Sequence, residues 1–233
     1  MENKKILIIG NKPYYNFKLN NIVDSFDVIY RFNFAWPGKN SGTKFGKLVM
    51  CGHMYHNFVT NLCTKEQIVP KYGHELHAAF LNDWYDFFKE NKQHFDEIFY
   101  ENEKNWREWN NMLEKYGCPH RFSKMASSGY SVIFRKLTEG GEVYVSGFTL
   151  CNDEIRKTMG ETDQIAIAKH HGAGSHSFSD EKRILAWLHN NKKIDASLCM
   201  LEDTDELSLE TNEYNTEPSE FILNLLNREQ ETI

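Results

Sequence analysis

Apolar and polar positions along the 233-residue chain fall into short, distinct patterns. Ile6-Leu7-Ile8-Ile9 is an unbroken apolar run closed by Gly10-Asn11-Lys12-Pro13. A run this short, ended by a turn signal, predicts a buried strand that opens an α/β unit. Phe17–Val23 then predicts a short helix, Phe26–Phe32 a second strand, Pro37–Gly46 a loop and Lys47–Met50 a third strand. Between Trp84 and Tyr116, the residues Phe95, Ile98, Phe99, Trp106, Trp109 and Leu113 recur at helical spacing, and Gly117 and Pro119 stop the pattern. That stretch predicts helix. Ser127-Ser128-Gly129 precedes Tyr130, Val132, Ile133, Phe134 and Leu137, the sign of a serine-capped helix. Glu142–Gly147 predicts a strand, Glu181–Asn190 a helix with Ile184, Leu185 and Leu188 on one face, and Ala196–Leu201 a late strand.

The alternation of strands and helices, with glycine turns after strands, predicts an α/β fold: a mostly parallel sheet flanked by helices, Rossmann-like. Such sheets bind ligands beyond the carboxyl ends of their strands, which singles out Gly10 and Asn11, Asn33 and Gly147. Residues 1–200 read as one α/β domain. Residues 201–233 read as an acidic linker, Glu202–Ser219, followed by a short amphipathic helix, Glu220–Asn227.

Charge sharpens this division. The formal net charge is −6, yet residues 201–233 hold ten acidic side chains and one basic one, Arg228, so the other 200 residues carry +3. A body so weakly cationic lacks the basic footprint of a nucleic-acid binder. The 40% hydrophobic and 26% charged composition excludes a disordered or collagen-like chain. Five cysteines without C-x-x-C spacing suit free thiols in a reducing compartment. The four-residue apolar run after Lys5 is too short for a signal-peptide core or a membrane span. The expectation is a cytoplasmic protein, with the C-terminal helix offering a peripheral contact to the inner membrane or to another biosynthetic enzyme.

The candidate chemistry lies at the turns. Gly10-Asn11 is either a plain turn or a site where backbone N–H groups and an amide meet a nucleotide. The dinucleotide fingerprint G-x-G-x-x-G and the Walker sequence are both absent. Asn33 ends the second strand, free to bond a ligand or simply exposed there. Ser127-Ser128-Gly129 is either a simple cap or an anion site at a helix start. His170, His171 and His176 lie in a Gly- and Ser-rich segment, either a solvated loop or a source of proton acceptors and phosphate-binding cations. With no nearby cysteine and no H-E-x-x-H pattern, a metal is not expected. The aromatic positions Trp84, Trp106 and Trp109 fit core better than sugar platforms.

Taken in order, these segments resemble the animal-type sialyltransferases, which use CMP-sialic acid. Ile8-Ile9-Gly10-Asn11, then Val23-Asp24-Ser25-Phe26-Asp27-Val28-Ile29-Tyr30-Arg31-Phe32-Asn33 and Ser41-Gly42-Thr43-Lys44, resemble the family's long motif. Ser127-Ser128-Gly129 and Gly141-Glu142-Val143-Tyr144-Val145-Ser146-Gly147-Phe148 resemble its short motif. His170-His171 resembles the third motif, and His176 with Glu181 the final H-x-x-x-x-E. Residues 54–124 match nothing in the family. The cysteines that join the long and short motifs in secretory members are absent here: Ile6–Ile9 and Glu139-Gly140-Gly141 stand at those places. That departure points to a bacterial, cytosolic relative.

The resemblance implies a metal-independent variant of the GT-A glycosyltransferase fold and a CMP-activated sugar as donor, with no cofactor. Asn11 and Asn33 would contact the nucleotide, and Ser127, Ser128 and Gly129 its phosphate or ribose, beside Gly10 and Gly147. His176 would be the general base that deprotonates a glycan hydroxyl, with inversion at the anomeric carbon. One of His170 and His171 would stabilise the leaving phosphate, and Glu181 would support the site. A cytosolic enzyme could use CMP-Kdo or another nonulosonic acid for surface polysaccharide synthesis in place of CMP-sialic acid. A non-catalytic nucleotide-binding protein is the reading from another class. A hydrolase built on Ser128 and His176 lacks the G-x-S-x-G elbow.

Overall fold

The computed structural model describes residues 4–10, 20–32, 42–44, 46–51, 74–79, 95–101, 103–148, 176–202 and 218–230. Six strands are β1 (Lys5–Ile9), β2 (Val28–Phe32), β3 (Lys47–Cys51), β4 (His74–Ala79), β5 (Phe95–Glu101) and β6 (Glu142–Ser146). The helices are α1 (Asn20–Asp24), α2 (Glu103–Tyr116), α3 (Ser128–Thr138), α4 (Phe178–Asn190), α5 (Ser197–Glu202) and α6 (Glu220–Gln230). The strands form one sheet in the order β5-β4-β3-β2-β1-β6. Every pairing in it is parallel. This is the α/β sheet expected from the pattern of short apolar runs, because a parallel sheet covered on both faces demands strands apolar on both sides.

Alternate residues of β1 feed two cores. Ile6 and Ile8 join Tyr30, Phe32, Val49, Val143 and Val145 beneath α2, α3 and α4, where Trp109, Leu113, Ile133, Phe134, Ile184, Leu185 and Leu188 are buried. Leu7 and Ile9 face the other way, onto Ile22, Val23, Phe26, Ile29, Tyr144, Leu198, Ile222 and Leu225. Helix α6 thus lies on the body, its Phe221 ring edge-on to Phe26 at 5.4 Å and tilted against Tyr144 at 5.1 Å.

Two expectations are corrected, and one strand is new. Among the described residues of Trp84–Tyr116, Glu103–Tyr116 is helix and Phe95–Glu101 is strand β5. The aromatic spacing of that segment suits a helix, but its Ile, Phe and Tyr content equally suits a strand, and pairing along β4 decides the outcome. Strand β4 itself, His-Glu-Leu-His-Ala-Ala, was not anticipated. Ala196–Leu201 is not a strand: Asp195 makes the isolated bridge to Tyr144, and helix α5 starts at Ser197. Asp195 Oδ1 accepts the Ser197 N–H at 2.9 Å, a local side-chain bond that turns the chain into helix.

Candidate functional site

The sheet order contains one reversal. The chain steps outward from β1 to β5 and then returns to place β6 on the other side of β1. Ligands of open parallel sheets bind at such a switch point, beyond the carboxyl ends of the strands. Here those ends are Ile9-Gly10 and Ser146-Gly147, which are adjacent: the Gly10 N–H donates to the Ser146 carbonyl at 2.7 Å. A Cβ on Gly10 would fall 2.3 Å from the Gly147 carbonyl oxygen, so only glycine permits this approach. Gly147 itself has a φ of 65°, in the left-handed region.

Helix α3 brings its N-terminus to the same place. The helix packs on β1 and β6 through Tyr130, Val132, Ile133 and Phe134. The Phe148 ring, just past Gly147, lies so close over Gly129 that a Cβ there would sit 2.7 Å from it. Phe148 also meets Tyr130 edge-on at 5.7 Å. Gly10, Gly147 and Gly129 are therefore successive close approaches along one crevice wall.

The start of α4 closes the assembly. The buried Glu181 carboxylate accepts the Ser127 N–H at 2.6 Å and the Ser127 hydroxyl at 3.1 Å. The Tyr130 hydroxyl donates to the Glu181 carbonyl at 2.7 Å. Ser127 is thus an N-cap whose hydroxyl makes no bond to its own helix, because Glu181 takes it. His176 Nδ1 lies 2.8 Å from the Met125 carbonyl oxygen. A carbonyl only accepts, so Nδ1 carries the proton, and in the neutral ring the lone pair is on Nε2. Four residues after His176, Asp180 Oδ2 accepts the N–H of Ser123 at 3.0 Å and the Ser123 hydroxyl. Partial burial pushes the Asp180 carboxyl pKa up, but hydrogen bonds from Ser123 and Ser177 and the charge of Arg183 outweigh it and hold the group below the usual carboxylate value.

Seven expected site residues come together here: Gly10, Gly147, Ser127, Ser128, Gly129, His176 and Glu181. Asn11, Asn33, His170 and His171 lie outside the described residues. The stretch most like a family motif turns out to brace itself. The Asp24 carboxylate accepts the Thr43 N–H, the Thr43 hydroxyl at 2.6 Å and the Lys44 N–H at 2.8 Å. Lys44 Nζ donates to the Phe26 carbonyl, and the buried Arg31 donates from Nη2 to the Lys44 carbonyl at 2.9 Å. These bonds tie residues 42–44 to the end of α1 and to β2. Sequence reasoning missed Asp180 and the Tyr130 hydroxyl, although each sits within a residue of a motif position. Among the described residues, no group of three or more His, Cys, Asp or Glu could hold a metal ion. No helix among them is long and apolar enough to cross a membrane.

No protein-family model matches the chain. No curated protein matches it either. Solved structures do. The sialyltransferase CstII from Campylobacter jejuni, in complex with the substrate analogue cytidine-5'-monophosphate, superposes with a TM-score of 0.51 at 17% identity, over 99% of this chain and 98% of that one. A mammalian sialyltransferase in complex with Gal-beta-1-3GalNAc-ortho-nitrophenol matches with a TM-score of 0.48 at 14% identity, over 84% of this chain and 70% of that one. The CstII match identifies the fold as a GT-A-like glycosyltransferase fold.

Proposed function

We propose that this chain is an inverting glycosyltransferase that moves sialic acid from CMP-sialic acid to a glycan hydroxyl, with His176 as general base. The observation that carries the reading is the Nδ1–H bond of His176 to the Met125 carbonyl, which leaves Nε2 as the proton acceptor. It is supported by the place of that ring, beside the α3 N-terminus at the sheet's switch point, and by a fold shared with a sialyltransferase.

In this mechanism the donor's CMP lies over the ends of β1 and β6. The proton of Ser127 is committed to Glu181, so the anion meets the backbone at Ser128 and Gly129, helped by the helix N-terminus. The acceptor hydroxyl gives its proton to Nε2 as its oxygen attacks the anomeric carbon. The bond from that carbon to the phosphate oxygen breaks on the opposite side, and CMP leaves with the electron pair. His170 or His171 stabilises the departing phosphate, and Asn11 and Asn33 hold the nucleotide. No metal or cofactor takes part in these steps. A cytoplasmic site and a bacterial glycan acceptor complete the proposal.

The test is release of CMP from CMP-Neu5Ac and, in parallel, from freshly made CMP-Kdo, with EDTA present. His176→Ala is expected to lower turnover by about 10²–10⁴-fold, the usual worth of a general base, with CMP affinity by calorimetry nearly unchanged. Full activity in the variant would remove His176 from the role. Turnover of CMP-Kdo alone would reassign the donor, and CMP binding without turnover of either donor would favour a non-catalytic binding protein.

A further inference from the structure

The start of α4 touches the segment before α3 at three alternate positions: Asp180 holds Ser123, His176 holds Met125, and Glu181 holds Ser127. The middle contact sets the orientation of the His176 ring, and the outer two set where Met125 lies relative to α4. Their consequences differ. Glu181 also carries the N-cap of α3, so it couples to the donor end of the crevice. Asp180 holds Ser123, two residues before Met125, and is also bonded by Ser177, the neighbour of His176.

We infer that Asp180 is a positioning residue, which through Ser123 keeps the Met125 carbonyl where it fixes the tautomer and direction of the His176 ring. The inference rests on the transferase reading for its rate effect, but its structural half does not. Ser123 is exposed and Asp180 half-buried, so the bond lies at the rim of the packed core. A site of this kind loses precision when a supporting contact is removed, even while the fold persists. A displacement of about 1 Å at a reacting group costs up to about 10²-fold in rate. Both Ser123 bonds end on Asp180 Oδ2, and an amide oxygen in its place could accept both but without the charge that strengthens them.

The experiment uses the full chain labelled with ¹⁵N-histidine, with the His176 signal assigned by its loss in His176→Gln. The Nδ1–H proton is expected to be visible and slow to exchange in the unaltered protein. In Asp180→Ala that signal should broaden or vanish and kcat should fall about 10–100-fold, while the donor KM and the CMP Kd stay within about twofold. Asp180→Asn should fall between. Ser123→Ala should lose part of the rate, and Ser123→Thr should recover it. An unchanged His176 signal in a folded Asp180→Ala protein would overturn the inference, whatever happens to the rate. So would loss of CMP affinity in step with kcat. If His176→Ala keeps full turnover, the transferase role of His176 fails instead, and the signal in Asp180→Ala still tests the coupling by itself.

Discussion

Replacing Gly10 by alanine puts the sharpest strain on the switch point. The added methyl would stand 2.3 Å from the Gly147 carbonyl oxygen and 3.0 Å from Phe148 Cδ2. Normal contact between such atoms is about 3.5 Å, so β1 and the turn after β6 must part by about 1 Å. The two atoms that the methyl would meet most closely, the carbonyl oxygen and carbon of Gly147, are backbone, so no side-chain rotation relieves the clash. Overpacking of this kind costs about 1–3 kcal/mol. Parting also stretches the 2.7 Å bond from Gly10 to Ser146, worth about 1 kcal/mol more. A total of about 2–4 kcal/mol lowers Tm by about 4–16 °C in a domain of this size. The displacement does not stop there. Phe148 rides on Gly147 and lies over Gly129, so the N-terminus of α3 shifts with it. Calorimetry with CMP should therefore show affinity falling by about tenfold or more at temperatures where circular dichroism shows the variant fully folded. A Tm within about 2 °C of the unaltered protein, with CMP affinity within twofold, would refute the account of the crevice as a chain of obligatory close approaches.

Two further expectations concern stability. Ile222→Ala removes a fully buried side chain by which α6 packs on the sheet and should cost about 2–5 kcal/mol, read as a lower Tm. Asp24 is held below its ordinary pKa: burial raises it, and the hydrogen bonds from Thr43 and Lys44 and the charge of Arg31 outweigh that. A depressed carboxyl contributes stability above its unfolded value and loses it as pH falls through the folded one. Asp24→Asn should thus melt below the unaltered protein at pH 7, with the gap narrowing as pH falls below about 4; a gap independent of pH would refute the role of the charge.

Three of the strands that were legible in the sequence, β1, β2 and β6, share a property: each is buried on both faces. Leu7, Ile8, Ile9, Ile29, Tyr30, Val143, Tyr144 and Val145 are all within the core. Residues with that requirement must be apolar in unbroken runs, and such runs stand out. The segments that were misread lack it. His74–Ala79 has one large aliphatic residue in six, and its identity as a strand comes from β3 and β5 on its flanks. Ala196–Leu201 is as apolar as a strand, but Asp195 starts a helix through a bond no periodicity displays. The site was legible where backbone geometry demanded particular residues, as with Gly10, Gly129 and Gly147. It was not legible where a carboxylate recognises a segment more than fifty residues away, as Asp180 does with Ser123. The strongest motif, from Asp24 to Lys44, illustrates a different limit: part of a distinctive sequence, here Asp24, Thr43 and Lys44, can record how the chain is tied to itself.

The position of β1 in the sheet sets the order in which the protein can be assembled. Leu7 pairs with Ile29 on one side and with Tyr144 on the other. The first partner is available almost at once, and the second is made 137 residues later. At about 5–20 residues per second, a nascent chain waits on the order of 10 s with the edge of its most apolar strand unpaired. During that interval Ile6–Ile9 is a template for any other extended chain. A strand that lies inside the finished sheet is therefore an exposed edge, in need of protection, while the protein is being made.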